Sequence, residues 1–190
     1  MPTAQQVYAM LENASLWETA TQCHELLAAA HIPHALLGGV AVCLHGYQRN
    51  TVDLDLLIRK EDASQVKAAL ERERFSWRAK EAEYRSPVGI AVQFVHAGHR
   101  AGPGSEVILP DPADDRCITE IEGLPVLTLA RLVESKLACG QANLRRTHKD
   151  FADVVELIQR RRLTSAFARF LHRSLRATFR QLVRNARGKP

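Results

Sequence analysis

The stretch from His34 to Lys60, HALLGGVAVCLHGYQRNTVDLDLLIRK, constrains the fold more than any other part of the chain. Asp53 and Asp55 stand in a run of period two, so both carboxylates face one side of a strand while Val52, Leu54, Leu56 and Ile58 line the other. Aspartate is disfavoured in strands, and like charges at neighbouring same-face positions repel. The pair therefore has a cost unless it lies on a solvated edge strand or a hard cation sits between the carboxylates. Upstream, residues 35–37 read as a short strand that runs into Gly38-Gly39 and then into a helix over 40–45. A strand, two glycines and a helix N-terminus present open backbone amides and a partial positive charge suited to phosphate. Phosphate beside paired carboxylates is the layout of metal-assisted phosphoryl or nucleotidyl transfer.

Periodicity predicts one helix over residues 5–30, ended by Pro33, and an amphipathic helix over 61–74. Short strands are expected at 52–58, 76–78, 82–85, 90–96, 107–109 and 118–126, the last broken at Gly123-Leu124-Pro125. Thr128 is the expected N-cap of a helix over 129–139 that Gly140 closes, and helices over 147–161 and 164–185 follow. Strands and helices alternate early and helices gather late. The expected class is α/β (α+β), with a sheet domain over residues 1–127 and a helical C-terminal region over 128–190.

Composition mainly excludes. The chain is 46% hydrophobic and 25% charged, with no apolar run near the ~18 residues of a membrane span, so a globular protein without a membrane segment is expected. The first residues lack the basic start and apolar stretch of a secretory signal, which makes the cytoplasm the expected compartment. Cys23, Cys43, Cys117 and Cys139 are too scattered for a zinc knuckle or a disulfide framework. His96 and His99 lack a nearby cysteine or carboxylate to complete a metal site. The net charge of +5 conceals an asymmetry: residues 160–190 carry ten Lys or Arg and no acid, against 16 basic and 21 acidic residues before them. Attraction to RNA or to an acidic partner protein is expected to concentrate in that tail.

Gly38-Gly39, Ala41, His45-Gly46, Arg49, Thr51 and DLDLLI together resemble the signature of the DNA polymerase beta type nucleotidyltransferase superfamily. They are most similar to its AbiEii-like abortive-infection group, often one half of a toxin and antitoxin pair. GLPVLTLARLVESKLACG (123–140) and KDFADVVELI (149–158) resemble that group's helical region. The resemblance implies the nucleotidyltransferase fold, a mixed twisted sheet flanked by helices. It implies that Gly38 and Gly39 contact the triphosphate of an NTP and that Asp53 and Asp55 hold a divalent metal, Mg2+ or Mn2+. A nucleotide would then pass to an acceptor, a tRNA or other RNA or a protein, while Lys136 faces the nucleotide and Thr51 belongs to the nucleotide-binding set. From the residues alone, Arg49 fits either a bidentate phosphate clamp or a salt bridge. Lys136 also fits a snorkelling side chain. Asp150 and Asp153 share a helical face, available to fix Lys136 or to line the cleft, and Arg145 and Arg146 fit an RNA contact or a solvated surface.

One position departs from the pattern. In GIAVQFVHA, Ile90, Val92 and Phe94 form an apolar row, and Gln93 on the opposite face stands where a third carboxylate is expected. Glutamine offers a neutral oxygen but neither binds metal as an anion nor takes a proton from an attacking hydroxyl. This substitution supports the second reading, a catalytically silent module that binds nucleotide, RNA or protein. Glu106 and Asp111 are the carboxylates available in the glycine-rich segment downstream to replace it.

Overall fold

Strands β1 (His34–Leu37), β2 (Asp53–Ile58), β3 (Ser76–Arg78), β4 (Glu83–Arg85), β5 (Ala91–His96), β6 (Ile118–Ile121) and β7 (Leu124–Leu127) form one sheet, ordered β3-β4-β5-β2-β1-β7-β6. These assignments come from a computed structural model that describes residues 2–187. Lys189 of the basic tail lies outside the described residues. β1 is buried at every residue and pairs antiparallel with β2 and parallel with β7. β2 runs parallel to β5, with Asp53 opposite Ala91 and Asp55 opposite Gln93. The sheet is thus mixed, as expected, and the aspartate strand lies inside it rather than at an edge. Leu54, Leu56 and Ile58 are buried on the apolar face, whereas Val52 is 75% exposed and precedes the strand.

Helices α1 (Ala4–Met10), α2 (Ala14–Ala29), α3 (Gly38–Leu44), α4 (Ala63–Arg72), α5 (Leu129–Ala142), α6 (Leu144–Arg160) and α7 (Arg176–Arg187) flank the sheet. One apolar core joins Leu27 of α2, Leu56 of β2, Leu132 of α5, Leu157 of α6 and Phe179 of α7.

Several boundaries differ from the sequence expectation, each for a local reason. The helix over 5–30 divides because Glu12 takes a left-handed conformation (φ 54°) and Asn13 donates its side-chain amide to the Thr51 carbonyl at 2.7 Å. Residues 107–109 form no strand; only an isolated bridge joins Ile108 to Arg100. Gly140 does not close α5 but lies inside it, where a Cβ would stand 2.7 Å from the Phe151 ring of α6. The expected tail helix becomes two 3-10 turns, Ser165–Phe170 and Arg173–Leu175, before α7. Side chains of Thr164 and His172 accept backbone N–H groups at the start of these turns, restarting the chain twice. Phe170 is left 51% exposed, while Leu171, Leu175, Phe179 and Val183 are buried.

Candidate active site

The end of β1 delivers Gly38 against the middle of β2, because Leu37 pairs with Asp55. Gly38 has φ +69°, and a Cβ there would lie 1.8 Å from Asp55 Oδ2, so this position requires glycine on two counts. A Cβ on Gly39 would lie 2.6 Å from Thr51 Oγ1, and that hydroxyl donates to Asp53 Oδ1 at 2.6 Å. Each glycine therefore abuts one carboxylate, Gly38 directly and Gly39 through Thr51. His45, at the end of α3, fixes the element by a 2.8 Å hydrogen bond between Nε2 and the Leu127 carbonyl of β7.

Burial, followed by the neighbouring charge of Asp53, pushes the Asp55 carboxyl up to about 6, against the opposing pull of Lys136, Arg146 and Lys149. Those cations come from α5 and α6. Lys136 is 4% exposed, so it does not snorkel; its Nζ lies 3.0 Å from Asp150 Oδ1 and 2.8 Å from Asp153 Oδ2. Asp150 and Asp153 fix the lysine, and Asp150 also lines the cleft. Arg49 completes the cluster in the salt-bridge form: its Nε and Nη2 stand 2.8 and 3.1 Å from the two oxygens of Asp153. Arg146 Nε reaches Asp150 Oδ2 at 3.2 Å. Two buried carboxylates thus hold three cations, leaving one positive charge in excess beside Asp55.

Gly38, Asp55, Lys136, Arg146, Asp150 and Arg100 line a cleft of about 120 Å³. Gly39, Thr51, Asp53 and Arg49 adjoin it through the contacts above without lining it. Asp111 does not reach the cleft, because Arg59, just beyond β2, holds it at 2.8 Å. Glu106 lines a separate groove with Gln141 and Ser174. Among the described residues no three His, Cys, Asp or Glu side chains are grouped to hold a metal ion.

Sequence reasoning missed Glu83. This residue of β4 is 5% exposed, and its Oε2 accepts a 3.2 Å hydrogen bond from Gln93 Nε2 while its Oε1 lies 2.6 Å from Arg85 Nη2. Its signal was faint: Glu83 and Arg85 flank Tyr84 with period two, but only the pairing of Tyr84 with Val92 brings Glu83 beside Gln93. Ser135 and Cys139 also line the cleft, one helical turn apart on α5 with Lys136 between them, and were not singled out.

A family model described as "Uncharacterised nucleotidyltransferase" matches residues 3–188. The curated proteins include no match. Among solved structures, ANT(2'')-Ia in complex with adenylyl-2''-tobramycin superposes with a TM-score of 0.60 at 14% identity, covering 88% of this chain and 98% of that chain. A Thermotoga maritima protein provisionally described as a nucleotidyltransferase gives 0.54 at 16% identity, covering 73% of this chain and 93% of that one. At these identities the likeness concerns the fold.

Proposed function

The chain belongs to this family of uncharacterised nucleotidyltransferases, and from that premise we propose that it transfers a nucleotide from an NTP to a hydroxyl of an RNA, such as a tRNA, or of a protein, the bond between the α- and β-phosphates breaking and pyrophosphate leaving. The observation that carries the reading is the contact of Gly38 with Asp55 on a cleft also lined by Lys136 and Arg146. Gly38 and Gly39 present amides to the triphosphate, and the excess positive charge of the Lys136 cluster favours the same anion. Thr51 holds Asp53 by its hydroxyl. Asp150 and Asp153 hold the Lys136 ammonium at the cleft.

The donor set fits a divalent cation. Asp53 and Asp55 are like charges on one strand face, the second with its carboxyl raised to about 6, and a hard cation relieves that repulsion. Asp53 and Asp55 would hold Mg2+ or Mn2+, with Gln93 in register as a neutral oxygen. When bound, the ion supplies activation of the acceptor hydroxyl and charge neutralisation at the phosphates.

Residues 1–127 then supply the carboxylates and glycines, and residues 128–190 the cationic wall and the basic tail. The signature supports placing the chain near the AbiEii-like group, in a toxin-antitoxin or phage-defence pair in the cytoplasm. Gln93 favours a second reading, a silent module of the same fold that binds nucleotide, RNA or a partner protein.

Incubation of the protein with labelled NTPs, Mg2+ or Mn2+ and total tRNA separates the two. Label transfer that Asp55→Asn abolishes is the expected result. Absence of transfer from any NTP, with nucleotide or RNA binding intact, establishes the module instead.

A further inference from the structure

We infer that Glu83 is a positioning residue that turns Gln93 into an oxygen ligand for the cation at Asp53 and Asp55, an inference that rests on the metal reading proposed above. β5 lies between β2 and β4, so Gln93 has Asp55 on one side and Glu83 on the other. An ionised carboxylate only accepts hydrogen bonds, whereas a glutamine amide presents a donor on one arm and an acceptor on the other. The 3.2 Å contact with Glu83 Oε2 therefore fixes which way round the amide stands: nitrogen toward β4. With its nitrogen committed to β4, the amide has its oxygen left for the other side, where Gln93 pairs with Asp55.

Arg85 Nη2 stands 2.6 Å from the other oxygen of Glu83, so the two oxygens of this buried carboxylate face different partners. The third negative charge is thus present one strand further out, neutralised by Arg85, and it acts on the site through an amide. The ligand set carries one negative charge fewer than three carboxylates, and the cation is held more weakly for it.

Binding of Mn2+ to the full chain without NTP, read from the loss of the free-ion electron paramagnetic resonance signal, tests this directly. Glu83→Gln keeps the shape but lets the Gln93 amide stand either way round. It is expected to weaken Mn2+ binding about tenfold, as does Gln93→Leu, in line with the usual effect of losing a ligand's supporting hydrogen bond. Arg85→Met, which removes the other partner of Glu83, shifts the affinity no more than about twofold. The exchange Glu83→Gln with Gln93→Glu restores binding to at least the parent level, because a carboxylate then stands beside Asp55 with an amide supporting it.

A purely structural Glu83 gives the opposite pattern: Glu83→Gln and Arg85→Met lower the melting temperature together while Mn2+ affinity stays at the parent value. That result, or weakened binding in Gln93→Leu alone, overturns the role of Glu83 and leaves the metal reading standing. Parent binding that Asp55→Asn does not reduce overturns the metal reading as well.

Discussion

Asp55 concentrates the conflict built into the site. Its carboxyl is raised from 3.8 to about 6 in the native state, so between those values the native protein holds a proton that the unfolded chain has released. Stability contributed by the protonated form is therefore present below about pH 4 and is lost as pH rises through 6, the slope following the difference in bound protons. In the metal-free protein, Asp55→Asn is expected to raise unfolding free energy at pH 7.5 by roughly 1–3 kcal/mol relative to the parent, and to leave little difference at pH 4. Urea unfolding across pH 4–8 measures it; a constant difference at all pH values contradicts it. The shared face of Asp53 and Asp55 and the glycines before them were legible in the sequence, because period two and strand-glycine-helix geometry are local. The burial of Lys136 was not, since whether a lysine snorkels or is sequestered depends on carboxylates fourteen and seventeen positions away on another helix.

Among the elements, α5 and α6 pack tightly where Gly140 faces Phe151. In an ordinary helix interior, Gly→Ala is worth up to about 1 kcal/mol of stabilisation. Here the added methyl group would stand 2.7 Å from two ring carbons of Phe151 and 3.4 Å from the Cβ of Asp150. Overpacking of this kind costs about 1–3 kcal/mol, so Gly140→Ala is expected to lower the urea midpoint, with stability recovered by adding Phe151→Leu. The sequence showed a glycine at the end of an amphipathic run and so suggested a cap. A packing glycine and a capping glycine share that local pattern, and only the neighbouring helix distinguishes them. The same limitation explains the tail, where apolar spacing continued across the 3-10 turns that Thr164 and His172 restart.

For the molecule as a whole, the charge asymmetry seen in the sequence takes a definite place. Arg173, Arg180 and Arg184 are exposed, while Phe179 and Val183 anchor α7 in the core. If the acceptor is RNA, as proposed, replacing these three arginines with glutamine weakens binding and reduces the slope of log affinity against log salt by about 0.7 for each phosphate no longer neutralised. Filter binding of total tRNA between about 50 and 200 mM salt, a range over which counterion release changes affinity steeply, gives the slope; an unchanged slope assigns the arginines to solvent. The mixed sheet and the late helices were legible as a class from the order of periodic segments. The seven-stranded order was not, because β1 pairs with β7 at a separation of 90 positions, Leu36 opposite Val126.

The ion pair between Arg49 and Asp153 joins residues 104 positions apart. Contacts at such separation must await loop closure and form late in folding. During synthesis the glycines and aspartates leave the ribosome long before α6, the only described element that supplies Asp150 and Asp153 to the Lys136 cluster. The cationic wall therefore acquires its arrangement only when most of the chain has been made, and the nascent protein has its carboxylate strand before it has a finished cleft.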